Sequence, residues 1–254
     1  TVTIKFSVSD DNIDTNNIKV STDNGQTWHD VYVCGEYYCY DWDTTQETDG
    51  LAYGIIAKAT DLAGNTGYSE MVIVIVDNEA PEGVYVLSPV SNEIVQGTIT
   101  LKALSTDYVS GVQNVRIYVD NNTYCDAVLV GGTWQCSLDT TTLPDGQHQA
   151  YAVATDNLGH QTTSASMPFI IDNNPPERPE LYVNDPDGDG YDTDGTVTWY
   201  WTESDDAGSG VDYYWINISS PGLINTKVFG TTFTYSDLVD GVYHAMVKAV
   251  DRAG

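Results

Sequence analysis

The sequence predicts an all-β chain of three tandem seven-stranded β-sandwiches, with the first and last copies incomplete. Three observations predict it. The phrase "ATDLAGN" at 59–65 returns as "ATDNLGH" at 154–160 and as "AVDRAG" at 249–254, so Asp61, Asp156 and Asp251 are spaced 95 apart (61 to 156, 156 to 251). A fixed long period marks one folding unit used repeatedly. Apolar residues alternate with polar ones, as at Ala150, Ala152 and Ala154 in "QHQAYAVATD", which is the period of a half-buried strand. Clusters of Gly, Asn and Asp punctuate these runs, and no stretch carries a helical stripe.

The rest of the unit repeats too. Asp-Gly precedes each copy of the turn, at Asp49-Gly50, Asp145-Gly146 and Asp240-Gly241. "VDNEAP" at 76–81 answers to "IDNNPP" at 171–176. "TVTIKFSVSD" at 1–10, "TITLKALSTD" at 98–107 and "TVTWYWTESD" at 196–205 also align. The expected domains are 1–77 (first strand missing), 78–172 (complete) and 173–254 (last strand missing). The chain thus reads as an excerpt from a longer array.

Within the complete copy the alternation and turn residues predict seven strands: 83–88, 98–105, 112–119, 124–130, 133–138, 147–155 and 162–171. Several short strands at regular spacing indicate a sandwich. The matching inward positions are Ile55, Ala57 and Ala59 in the first copy, and Ala245, Val247 and Ala249 in the third. The run "LPDGQHQAYAVATDNLGHQT" followed by "IIDNNPP" resembles the closing half of the immunoglobulin-like and fibronectin-like repeats of bacterial and archaeal surface proteins. The resemblance covers all three copies. It departs from antibody domains: no disulfide joins the two sheets through the expected strands, and no core Trp sits in the same place in every copy. It implies an extracellular stalk, an adhesin or a spacer attached to an enzyme, and it implies no ligand.

Charge narrows the partners. Nine Lys plus Arg stand against 37 Asp plus Glu, a net charge of −28. That balance disfavours nucleic acid, whose phosphates need the opposite sign, and likewise an anionic membrane surface. No apolar run approaches the roughly 20 residues of a membrane span. Neighbouring domains or adjacent subunits are the expected partners, with a cell-surface glycan or protein as a further one. Four cysteines allow three pairings. Separate domains keep distant cysteines apart, so Cys34–Cys39 and Cys125–Cys136 are the expected bonds, one on each of two candidate hairpins. Disulfides on this pattern point to an extracellular or cell-surface location.

Topology assembles the acids. Strands of a sandwich alternate in direction, so the loops after the second and sixth strands lie at one end, which also receives the incoming linker. One expected cluster is therefore Asp77, Asn78, Asp107 and Asp156. The other is Asp172, Asn173, Asp251 and Asp205 or Asp206. Calcium takes six to eight oxygen ligands and suits such sets. The competing reading is that Asp61, Asp156 and Asp251 accept backbone N–H bonds and hold their turns.

A third calcium candidate is "NDPDGDGYDTDG" at 184–195, where Asp185, Asp187 and Asp189 alternate before Gly190, with Asp192 or Asp194 as a further oxygen source. It resembles the start of an EF-hand loop, but the twelfth position is Thr196, where that loop needs a bidentate Glu.

Other signals carry less. "STDNGQTW" at 21–28 fits the Asp-box pattern, which supports a hairpin. His29, His148, His160 and His244 belong to no visible triad and are read as surface or strand residues. No nucleophile elbow, zinc-protease helix or phosphate loop appears, so the chain reads as non-catalytic. The aromatic hairpin "CGEYYCYDW" at 34–42 can pair across strands or stack on sugars, the latter a lectin-like alternative. Asn121 and Asn217 lie in glycosylation sequons.

Overall fold

The computed structural model describes residues 1–121, 123–184, 195–219 and 223–254. Among them there is no α-helix; the chain is strands, turns and two short 3-10 turns. The first copy contains β1 (Val2–Phe6), β2 (Ile13–Ser21), β3 (His29–Asp30), β4 (Tyr32–Cys34), β5 (Tyr37–Trp42), β6 (Ala52–Asp61), β7 (Thr66–Tyr68) and β8 (Val72–Ile75). The second contains β9 (Glu82–Ser88), β10 (Ile94–Val95), β11 (Thr98–Thr106), β12 (Val112–Val119), β13 (Thr123–Val130), β14 (Thr133–Asp139), β15 (Gly146–Asp156), β16 (Gln161–Thr163) and β17 (Met167–Ile171). The third contains β18 (Leu181–Val183), β19 (Val197–Trp201), β20 (Val211–Ser219), β21 (Ile224–Val228), β22 (Thr232–Tyr235) and β23 (His244–Asp251).

By contacts the chain divides into two compact units. One is Thr1–Val84 with Ser105–Asn114 and Ala154–Thr162; the other is Tyr85–Leu104, Val115–Val153 and Thr163–Gly254. The first copy supplies the sheets β1-β5-β4 and β3-β2-β6-β7, with β8 also on β6. The third supplies β18-β19-β22 and β21-β20-β23. The second runs in the order β10-β17-β15-β12-β13-β14-β11-β9.

One strand of the second copy changes partners midway. Ala127 of β13 still pairs with Val115 of β12, but Val128 already pairs with Gln135 of β14. Cys125 stands before this change and faces Ile117, while Cys136 belongs to β14 and faces Leu101 of β11. The Cys125–Cys136 bond therefore ties together the two ladders between which β13 passes. Cys34 is bonded to Cys39 within the β4–β5 hairpin, where Cys34 pairs with Tyr37 and Cys39 with Tyr32.

Period-2 burial is cleanest on β15. His148, Ala150, Ala152, Ala154 and Asp156 are all buried, with the residues between them more exposed. The buried stripe thus begins on a histidine and ends on a carboxylate. His148, read from the sequence as a surface or strand residue, is a buried strand residue. Its ring nitrogens face the Asp120 carboxylate and the Pro144 carbonyl.

The seventh predicted strand, 162–171, is two strands, β16 and β17. Ser164 N–H bonds Ala152 O (2.8 Å), and the Ser164 hydroxyl then accepts the Ala152 N–H (2.9 Å) in place of a backbone carbonyl. Ser69 repeats this on Ala57 in the first copy. A hydroxyl takes over one ladder bond and lets the strand break without stranding a donor.

Among the described residues, two strands of the second copy have no paired counterpart in the first. β10 pairs in parallel with β17 through Ile94–Ile170 and Val95–Ile171, and β9 closes the ladder beside β11. Phe169 and Ile171 of β17 are 1% and 0% exposed. On β8, the counterpart of β17, Val72, Ile73 and Ile75 are 58–61% exposed. Unpaired strand edges open locally more often. Amides of β8 should therefore exchange with solvent at least about tenfold faster than those of β17. Equal protection in hydrogen-exchange mass spectrometry would show that the β8 edge is covered.

Candidate junction sites

The functional candidates sit where one copy hands over to the next. The last strand of each of the first two copies ends at or just before an apolar residue followed by Asp and Asn: Val76-Asp77-Asn78 and Ile171-Asp172-Asn173. The asparagine reaches backward. Asn78 N–H donates to Asp49 Oδ1 (2.8 Å), and its Nδ2 to the Thr44 carbonyl (2.7 Å). Asn173 repeats both bonds on Asp145 (2.8 Å) and Thr140 (3.2 Å). Its Oδ1 also accepts the Gly97 N–H and the Thr140 hydroxyl.

The acceptors are built locally. Asp43 and Asp139 cap the 3-10 turns Thr44–Gln46 and Thr140–Thr142, which present the Thr44 and Thr140 carbonyls. Asp145 supplies the other acceptor. Burial works against its charge, but the Asn173 N–H and the Asn174 and Asn173 amides prevail and hold its pKa below the usual carboxylate range.

The aspartate of each pair reaches forward. Asp77 accepts the Ser110 N–H on Oδ2 (3.1 Å) and the Glu79 N–H on Oδ1 (3.2 Å). Asp172 accepts the Ser209 N–H on Oδ2 (2.9 Å). Ser110 and Ser209 belong to matching "SG" turns, each closed by an upstream Asp. Asp107 Oδ1 accepts the Gly111 N–H (2.6 Å), and Asp206 Oδ1 accepts the Gly210 N–H (2.8 Å).

The thrice-repeated turn is held by its own aspartate. Asp61 takes the Asn65 N–H and side-chain amide, both at 2.8 Å. Asp156 takes the Leu158 and His160 N–H groups on Oδ1 and His160 Nδ1 on Oδ2, all at 2.8 Å. Asp251 takes the Gly254 N–H (2.7 Å). Burial alone would raise the pKa of Asp156, but the His160 ring, the His160 N–H and the Leu158 and Gly159 N–H groups bring it below the usual range.

Two groups of potential ligand atoms result, each spanning no more than 4.8 Å: Asp77, Asp156 and His160, and Asp172, Asp206 and Asp251. The sequence brings Asp77 to Asp156, and Asp172 to Asp206 and Asp251. It does not foresee the rest. Asn78 and Asn173 are spent on the backward bonds. Asp107 closes its own turn, and the Asp205 carbonyl accepts the Glu177 N–H. His160 joins the first group instead. Its signal was available: it lies four residues after Asp156, as Asn65 does after Asp61. Gly208 was also missed. A Cβ there would overlap the Asp172 carboxylate, so only glycine lets the turn approach.

The remaining candidates are placed as follows. Asp185, Asp187, Asp189, Asp192 and Asp194 lie outside the described residues. Asn121 is exposed in a turn at φ 66°, whereas Asn217 is half-buried in mid-strand between β21 and β23. The Asp-box closes on itself: Asp23 accepts the Thr27 N–H (2.8 Å), the Thr27 hydroxyl (2.6 Å) and the Ser21 hydroxyl (2.7 Å).

Residues 83–152 match the family model of a bacterial Ig domain. No curated protein matches the chain. Among solved structures, the fibronectin(III)-like modules of Clostridium thermocellum CbhA match 67% of this chain and 83% of their own, at 17% identity and a TM-score of 0.38. A tetra-tandem repeat from the extending region of a large adhesion protein matches over 94% and 68%, at 18% identity and a TM-score of 0.36. An endo-β-1,4-mannanase from Thermotoga petrophila matches over 39% of this chain at 20% identity and a TM-score of 0.33, and this chain covers 21% of that enzyme.

The Asp-box generates a pH prediction. Partial burial opposes ionisation of Asp23, but hydrogen bonds from Thr27, Ser21 and Gln26 outweigh it and lower the pKa from 3.8 to about 2. A depressed folded-state pKa stabilises fully above the unfolded value and is lost as pH falls from 3.8 towards 2. Asp23→Asn should flatten acid unfolding in that window. At neutral pH it should cost on the order of 1 kcal/mol, because solvent screens a part-exposed carboxylate. Urea melts at pH 7, 4 and 2.5 would check both parts.

Proposed function

We propose that the chain is a non-catalytic spacer of a secreted or cell-surface protein, built from three tandem Ig-like sandwiches whose junctions are held rather than hinged. One observation carries the reading: each linker is bonded on both sides. Asn78 and Asn173 fasten it to the copy just completed, and Asp77 and Asp172 fasten it to the turn of the next. A passive flexible linker needs none of these bonds; Gly/Ser-rich composition serves that purpose. The 95-residue period applies the same device twice. Two disulfides, the acidic balance and the bacterial Ig match at 83–152 support a location outside the cytoplasm.

A second reading, a lectin-like or otherwise adhesive module, is favoured by Tyr32 and Tyr37. They are 47% and 50% exposed at the Cys34–Cys39 hairpin. Saturable binding on a glycan array, lost on Tyr37→Ala, would favour it over the spacer.

The spacer is tested by pulsed electron resonance with spin labels at the exposed positions 129 and 246, both disulfides kept intact. The expected distance distribution is narrow, and Asn173→Ala should broaden it severalfold. A broad distribution in the parent chain, or none of that broadening, would overturn the held junction.

A further inference from the structure

The two junction groups are built alike and finished differently. In the first, both oxygens of Asp77 and both of Asp156 accept hydrogen bonds from the protein, His160 supplying one of them. In the second, Asp172 is 2% exposed, and its Oδ1 is buried with no hydrogen-bond partner among the described residues. Its carboxylate points into a group with Asp206 and Asp251, the oxygens lying within 4.8 Å of one another. Asp251 is itself only 8% exposed. The backbone N–H groups of Ser209, Gly210 and Gly254 reach one oxygen of each carboxylate. The Arg252 side chain donates to the Ser209 carbonyl.

Three carboxylates this close repel one another, and a buried acceptor without a donor loses its hydration uncompensated. A cation removes both penalties together. We infer that Asp172, Asp206 and Asp251 form a site for one hard divalent cation, best matched by calcium, and that the Asp77–Asp156–His160 group does not. The donor set is all oxygen, which suits calcium or magnesium rather than zinc. Calcium bonds of about 2.3–2.6 Å place opposed ligands about 5 Å apart, the span seen here, whereas magnesium demands a tighter octahedron. The first group lacks the vacancy because both oxygens of Asp77 and both of Asp156 already accept hydrogen bonds. The inference stands apart from the spacer reading, since a site of this kind would hold calcium in a recognition module too.

The test is a calcium chloride titration of the whole 1–254 chain, followed through its backbone amide resonances. The Ser209, Gly210 and Gly254 amides should shift saturably, with Kd about 10⁻⁴–10⁻³ M as in other extracellular modules. The Leu158 and His160 amides should stay in place. Asp172→Asn should weaken binding at least tenfold. Asp206→Asn, at a more exposed position, should do the same if the first variant fails to fold. The site is refuted if the three amides do not move through millimolar calcium. It is equally refuted if they shift with unchanged affinity in either folded variant, or if Leu158 and His160 shift in step with them.

Discussion

Neighbouring residues of an extended chain point to opposite sides, and the junctions depend on that constraint. An Asp-Asn pair at the end of a strand cannot aim both side chains at one place. It must send one back and the other forward. Asn78 and Asn173 turn into the copy just completed and seal its Asp-Gly and 3-10 turns. Asp77 and Asp172 turn into the serine-glycine turn of the copy about to begin. The repeated Asp49 and Asp145 thereby gain a purpose as acceptors for the asparagine N–H. The junction is thus a consequence of strand geometry applied to two polar residues of similar size and opposite task.

The same constraint explains what could be read in advance. Strands β11, β12 and β15 were legible because each buries every second residue, and alternation survives in a single sequence. β10 was not, since two residues paired in parallel carry no alternation. The break between β16 and β17 was hidden because the Ser164 hydroxyl stands in for a backbone acceptor, and nothing in composition marks that substitution. At the sites, topology was enough to bring the acids of one loop end together. It was not enough to say which way each side chain faces, so the asparagines were grouped with aspartates they cannot join. The turn carboxylates also do two things at once. Asp156 holds its turn through backbone N–H bonds and still lies among the junction ligands, so turn former and junction acid are not exclusive roles.

Burial of these carboxylates follows from the core. On β15 the inward positions run from His148 through three alanines to Asp156, which is fully buried at the strand's last step. A carboxylate there is tolerable only with its lone pairs occupied, which the turn amides and His160 accomplish. Asp172 meets the same requirement with one oxygen and not the other. Identical backbone recipes can therefore end in a saturated group or an unsaturated one: Asp77 Oδ1 accepts the Glu79 N–H, and Asp172 Oδ1 has no such donor among the described residues.

The copies also differ in how they tie their sheets together, and side-chain volume shows why. In the second copy β11 carries Leu101 and Ala103 inward, and Cys136 lies opposite Leu101. There Cys136 is bridged to Cys125. In the third copy the aligned positions on β19 are Trp199 and Trp201, 7% and 2% exposed, and Phe233 lies opposite Trp199. Trp199 and Phe233 stack with centroids 6.3 Å apart, while Trp201 packs on Tyr214 at 5.6 Å. Two indoles fill the space that a leucine and an alanine leave open, so this sheet is held by burial of large aromatic surface instead of a covalent bond. The substitution has a cost that the cysteine solution avoids, because the Trp201 indole N–H is buried without a partner among the described residues. A covalent bridge and a pair of large rings are thus two answers to one packing problem, and the repeated unit accommodates either.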